Sequence, residues 1–419
     1  MHRGIATAEP VTESQAALFY ADQKGLFQSA YNVTAVVTVT GVLTRDELVN
    51  ACRRLVAATP AMRMRMGFVG LDGEVGYWFS ADLPDVDVFD LPHADTDAAR
   101  QLIDRVATRQ FEPDGGPLVR FVIVHAAPGR AYLGMIFHHL VVDGPSFPRI
   151  AKRIGDAIEG TISVEPEHEY VDLVRQIRQL EQRSRESDLE YWHARLPARA
   201  GETWWPYDLS AQGRGTTGGH SLTPLPADMA QRLERAAAAD GVRVFHLLAA
   251  AVHCALPAKT AQRTVISTAA SIRPRSESDG LLTGYFINQV PLPAAKRDGE
   301  TPRRLAVREA PRWRDDLRRR YVSFAELAAR ATRGEGNQSM LDRVVLSYQT
   351  QPRSFAWRGR TAGYAADLRP KTQQEKSDLV IRVFNKSGFM ECEVHWSSAL
   401  PPGAGEQFTE HLLEGLTGV

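Results

Sequence analysis

The chain has 419 residues, 43% of them hydrophobic and 24% charged, and its 50 basic and 50 acidic side chains cancel to a formal net charge of +0. That balance excludes a disordered chain, and it lacks the surplus of Lys and Arg that makes nucleic acid the default partner. The length exceeds what one hydrophobic core usually serves, so two domains are expected.

Thr12 and Gln15 form a T-x-x-Q capping box that opens a helix through Ala16, Leu18, Phe19 and Tyr20. Val33–Thr40 is short and β-branched and predicts a strand. A second box, Thr44 with Glu47, starts a helix whose Leu48, Ala51, Cys52 and Leu55 share a buried face, and Pro60 stops it. The apolar runs Leu118–His125 and Tyr132–Phe137 flank a Pro-Gly turn and predict a hairpin of core strands. A helix over 147–158 follows. Tyr170–Leu196 is long, periodic and charged, which predicts an exposed helix laced with ion pairs. Residues 198–220 are aperiodic and rich in Gly, Trp and turn formers, which predicts a linker. The chain is accordingly divided into 1–180 and 181–419. Beyond the linker, helices are expected at 226–239, 244–257, 302–318 and 403–416, and strands at 263–270, 343–349, 377–384 and 388–396. The class is α/β, in two layered domains.

Cys52, Cys254 and Cys392 are sparse and odd in number. They form neither a disulfide framework nor a CxxC zinc pair and read as reduced thiols of a cytoplasmic protein. The N-terminus has no apolar run of the secretory kind. No apolar stretch reaches the roughly 20 residues of a membrane span. Gly213–Gly218 matches G-x-G-x-x-G without the strand before it and the helix after it that dinucleotide binding needs. Gly218-Gly-His-Ser-Leu222 resembles a carrier-protein serine motif, but its linker-like flanks predict a flexible turn.

The segment that carries chemistry is Phe137-His138-His139-Leu140-Val141-Val142-Asp143-Gly144-Pro145-Ser146, directly after an apolar strand. Adjacent histidines at a strand end point to opposite faces, so one can meet a cavity while the other is packed. A histidine near neutral pKa can take a proton from an attacking amine or alcohol. Asp143 can shape the loop, and Gly144 admits close backbone approach to a developing oxyanion.

HHxxxDG resembles the signature of the condensation-domain superfamily of nonribosomal peptide synthesis, which includes acyltransferases related to chloramphenicol acetyltransferase. Other segments are similar in family order: Thr12–Tyr20, Tyr31-Asn32, Pro60–Arg63, Tyr170-Val-Asp172, Tyr191-Trp192 through Leu196, Gly284-Tyr-Phe-Ile-Asn288 through Leu292, and Lys376-Ser-Asp378-Leu379. The resemblance implies two chloramphenicol-acetyltransferase-like lobes in a V, with a tunnel between them. It places His139 at the reaction centre, as base or as orienter of the nucleophile. His138 is implied to be structural, Asp143 to set loop geometry, and Gly144 to supply backbone approach. Asp143 is expected to pair with Arg273, with Arg275 as the alternative. Asn288 is expected near the donor channel or as a loop brace. Ser347 and Gln349 alternate with apolar residues, as tunnel-facing groups or as ordinary sheet polarity. Pro145 stands where the family commonly has tryptophan, which stiffens the loop.

The implied activity is transfer of an acyl group from a carrier-protein thioester to an amine, or to an alcohol. The partners are an acyl or peptidyl carrier protein and a small-molecule or carrier-bound acceptor, with no nucleic acid and no membrane. No metal or cofactor is expected, since the phosphopantetheine arm arrives on the carrier. A free-standing monomer is expected. The rivals are a CoA-dependent acyltransferase of the same fold and a non-catalytic recruitment domain.

Overall fold

The computed structural model of the chain describes residues 8–25, 29–41, 43–70, 72–91, 95–196, 217–257, 263–274, 282–331, 341–352, 354–357, 359–365, 368 and 376–419. It divides into two compact units. The first comprises Met1–Gln179, Arg273–Phe286 and Pro352–Gln373, and the second Leu180–Ile272, Ile287–Gln351 and Gln374–Val419.

The first unit opens with β1 (Glu9–Pro10), α1 (Glu13–Gln23) and β2 (Asn32–Thr40). There follow α2 (Arg45–Ala57), β3 (Met64–Val69), β4 (Glu74–Phe79) and β5 (Asp85–Asp90). Then come α3 (Thr96–Ala107), β6 (Val119–Ala127), β7 (Arg130–His138) and α4 (Ser146–Glu159). Helix α5 (Glu167–Arg195) contains the division. The second unit supplies β8 (Thr217–Pro224), α6 (Met229–Ala239), α7 (Val244–Ala255), β9 (Arg263–Ser271) and β10 (Ile287–Ala295). It continues with α8 (Pro302–Arg318), α9 (Phe324–Ala331) and β11 (Val344–Gln351). The first unit regains the chain for β12 (Ser354–Trp357) and β13 (Arg360–Tyr364). The second ends it with β14 (Leu379–Lys386), β15 (Phe389–Ser397) and α10 (Ala404–Thr417).

Both expected capping boxes form, Thr12 with Gln15 on α1 and Thr44 with Glu47 on α2. The expected hairpin is β6–β7, inside a six-stranded sheet of order β12-β13-β2-β7-β6-β5. Strand β7 is buried from Ala131 to His138. A strand covered on both faces reads as an unbroken apolar run, which is what its sequence shows. A smaller sheet joins β1, β4 and β3.

The second unit has a six-stranded sheet of order β10-β9-β11-β14-β15-β8. Its β9–β11 and β11–β14 pairs are parallel, and the others are antiparallel. The strand residues Ile266, Leu292, Leu346, Ile381 and Val394 pack with Leu247, Trp313 and Phe408 of the helices in one core.

Three expectations are corrected. The continuous halves 1–180 and 181–419 give way to an interleaved division. Strand β13 pairs with β2 from Thr361↔Thr40 to Tyr364↔Val37, which brings residues 354–364 into the first sheet. Trp357 seals that pairing by lying so close to Gly155 of α4 that a Cβ there would come within 2.6 Å of its ring. Second, Gly218–Leu222 is strand rather than turn, paired with β15. Its glycines answer to packing: a Cβ on Gly219 would meet the Trp396 ring at 2.4 Å. Residues 213–216 of the G-x-G-x-x-G match lie outside the described residues. Third, α5 does carry ion pairs, such as Arg175–Glu9 and Arg185–Glu326, but it also buries Tyr170, Leu173, Val174, Ile177 and Trp192. No described helix is long and apolar enough to cross a membrane.

Candidate active site

Strand β7 ends at His138, and His139 follows at once. The His138 N–H makes a ladder bond to the Leu118 carbonyl at 2.9 Å, and the His139 N–H donates to the Tyr31 carbonyl at 2.7 Å. A single 3-10 turn, His139–Val141, then lifts the chain off the sheet. The two side chains part, as strand alternation requires.

His138 is buried, 1% exposed. Its Nδ1 accepts the Leu140 N–H at 3.1 Å, so its proton sits on Nε2, 3.5 Å from Asp22 Oδ1 of α1. Phe111 and Tyr31 flank the ring. The side chain caps the turn from inside the fold.

His139 is half-buried. Its Nδ1 lies 2.8 Å from the Val142 carbonyl oxygen. A carbonyl only accepts, so Nδ1 carries the hydrogen and the imidazole lone pair is placed on Nε2. The ring of Tyr285 stands edge-to-face against the imidazole, centroids 5.2 Å apart.

Asp143 is fully buried, and both its oxygens are occupied. Oδ2 accepts from Arg273 Nη1 at 2.6 Å and from the Phe286 N–H at 3.0 Å. Oδ1 accepts from Arg273 Nη2 at 3.2 Å, and from Ser146 Oγ at 2.6 Å and Ser146 N at 3.1 Å. Five donors leave this carboxylate no capacity for proton transfer to a substrate, and its work is to organise the loop. Arg273 is fixed further by the Leu282 and Gly284 carbonyls and lies 4.8 Å over the Phe286 ring. Arg275, the alternative partner, lies outside the described residues. Gly144 and Pro145 lead into α4: Pro145 has φ −58 and ψ −22, already helical, and Phe147 N–H bonds to the Gly144 carbonyl. Nearby, burial pushes the Glu165 carboxyl up against the opposing pull of Arg153.

The remaining expected residues belong to the second unit. Asn288 is buried and committed: its Nδ2 donates to the Arg320 carbonyl at 2.8 Å and the Val322 carbonyl at 2.6 Å, while its Oδ1 accepts from Gln289 N. Of the two expectations for Asn288, these bonds describe the loop brace. Ser347 and Gln349 share one face of β11 and bond to each other, Gln349 Nε2 to Ser347 Oγ at 3.1 Å. The structure thus gathers His138, His139, Asp143, Gly144 and Arg273 within the first unit, and Asn288, Ser347 and Gln349 within the second.

Sequence reasoning missed Asp22, Ser146 and Tyr285 as parts of the site. Ser146 and Tyr285 lie inside segments already singled out, and that was their only signal. Asp22 carries no local mark, because its meeting with His138 is made by tertiary packing.

A family model described as "Condensation domain" matches residues 5–417. Bacitracin synthase 2 of Bacillus licheniformis is 25% identical over 288 residues, covering 68% of this chain and 11% of that protein. Chondramide synthase cmdD of Chondromyces crocatus is 26% identical over 299 residues, covering 67% of this chain and 7% of that protein. The chain therefore spans only a small fraction of the curated relatives it matches. Among solved structures, the first condensation domain of the calcium-dependent antibiotic synthetase superposes with a TM-score of 0.78 at 19% identity, covering 98% of this chain and 96% of that one. The condensation domain of the Monacolin K polyketide synthase MokA gives 0.81 at 16% identity, covering 100% and 98%. The fold is shared with these domains, and by the family match over nearly its whole length the chain belongs to the condensation-domain family.

Proposed function

We propose that this domain joins an acyl group, held as a thioester on the phosphopantetheine arm of a carrier protein, to an amine. The carrying observation is the bond from His139 Nδ1–H to the Val142 carbonyl, which sets the lone pair on Nε2. In the proposed step the amine nitrogen attacks the thioester carbonyl while Nε2 of His139 orients it and takes its proton. The C–N bond forms, the C–S bond breaks, and the proton passes from the imidazolium to the departing thiolate. The products are an amide and a free thiol. Asp143 and Arg273 keep the loop in shape and exchange no proton. Held at a fixed distance, such a base contributes on the order of 10²–10⁴ in rate.

Support for thioester chemistry comes from a structural neighbour. A double mutant of the starter condensation domain of rhizomide synthetase, 17% identical with a TM-score of 0.80, was solved in complex with C8-CoA and Leu-SNAC. The test is intact-mass spectrometry of an acyl-loaded carrier mixed with the protein and a panel of amines and alcohols, beside His139→Ala. Loss of the acyl group together with amide formation, both dependent on the protein and on His139, is the expected result. Retention of the acyl group on every carrier while acyl-CoA is consumed would move the assignment to a CoA-dependent acyltransferase.

A further inference from the structure

Tyr285 touches the reacting imidazole and belongs to none of the expected site residues. Its ring meets His139 edge-to-face at 5.2 Å with an interplanar angle of 83°. Both of its chain neighbours are tied to the buried ion pair. On one side, the Gly284 N–H donates to Ser146 Oγ at 3.3 Å and its carbonyl accepts from Arg273 Nη2 at 3.4 Å. On the other, the Phe286 N–H donates to Asp143 Oδ2 at 3.0 Å. Gly284 itself is sterically obligatory: a Cβ there would come within 2.4 Å of the Phe286 ring and 3.0 Å of Tyr170. Tyr285 is therefore held at its backbone from both directions, with its ring against His139.

We infer that Tyr285 is a positioning residue, through which the Asp143–Arg273 pair fixes the orientation of the His139 imidazole. The Val142 carbonyl anchors the ring at Nδ1. Rotation about the Cβ–Cγ bond would swing Nε2 away from an acceptor and let the other tautomer form, and the Tyr285 ring blocks that rotation. The ring does this work, since the ring is the part of Tyr285 that meets the imidazole. Burial pushes the Tyr285 phenol well above its ordinary range, so it stays neutral and adds no charge beside the imidazole.

The inference rests on His139 being the reacting group, and its test separates the two. Protein labelled with ¹⁵N-histidine reports the tautomer of His139 directly, with His139→Ala assigning the signal and no substrate needed. Tyr285→Phe is expected to keep a single Nδ1–H tautomer. Tyr285→Leu is expected to give mixed or exchange-broadened tautomers and, in the transfer assay, a loss of about five- to tenfold in kcat with KM unchanged. A Tyr285→Leu protein with wild-type tautomer and kcat would overturn the inference. So would a Tyr285→Phe protein as impaired as Tyr285→Leu, since the hydroxyl would then be the working part. If His139→Ala transfers normally, the functional reading fails while the tautomer result still stands.

Discussion

His139 in the first unit and His253 in the second are the same side chain in opposite settings. His253 is 2% exposed, stacked on Trp313, and engaged at both ring nitrogens. Its Nδ1 meets Thr264 Oγ1 at 2.7 Å and its Nε2 meets the Leu292 carbonyl at 3.1 Å. Burial lowers its pKa to about 3, so it is a neutral core group at any working pH. His139 stands half-buried at a strand end, with Nδ1 committed to a backbone carbonyl and the lone pair on Nε2. In the proposed reaction it is this fixed tautomer of His139, and not the doubly engaged ring of His253, that handles a proton.

The comparison can be broken by substitution. His139→Ala is expected to slow amide formation by on the order of 10²–10⁴ without changing the melting temperature, whereas His253→Ala should lower stability by several kcal/mol and leave the rate of the folded fraction intact. Melting curves measured beside transfer rates distinguish the two. Asp143→Ala strands Arg273 in the interior, so a loss of about 3–5 kcal/mol is expected in denaturant titration. Arg273→Lys should recover little of it, because an ammonium cannot reproduce the paired contacts of a guanidinium.

The buried histidines also predict a pH dependence. Burial lowers His246 to about 4 and His253 to about 3. Depressed histidines stay neutral in the folded chain while the unfolded chain takes up protons below about pH 6.5. Stability from this source is therefore complete above pH 6.5 and falls as pH drops toward the folded values. The expected loss is about 1.6 kcal/mol per histidine between pH 6.5 and pH 5. Urea titrations across that range should show the slope, and His253→Gln should reduce it. A smaller effect attends Gly155→Ala, whose Cβ would meet Trp357 at 2.6 Å: about 1–3 kcal/mol from overpacking, read as a shift in the unfolding midpoint. Smaller again is Thr44→Ala, about 1 kcal/mol through loss of the α2 cap.

Local signals carried much of this fold. Capping boxes, the β6–β7 run and the helices of the second half are encoded within a few residues of one another, and they stand where spacing and propensity put them. The interleaving of the two units was illegible because it depends on β13 finding β2 across more than three hundred residues, and no local pattern records a partner strand. Gly218 and Gly219 misled for a related reason: glycine serves turns and close packing alike, and only Trp396 tells which. At the site, the resemblance pointed to His139, Asp143 and Arg273, but the Tyr285 contact and the capping of the loop by His138 exist only in three dimensions.

The most direct test of the account is single-turnover acyl transfer by His139→Ala, compared with wild type and with Asp143→Asn at matched folded concentrations. The account predicts a rate on the order of 10² or more below wild type for His139→Ala. It also predicts a smaller deficit for Asp143→Asn, because a loosened Asp143–Arg273 pair holds the His139 loop less firmly. Wild-type transfer by a folded His139→Ala protein would contradict the assignment of Nε2 as the proton-handling atom.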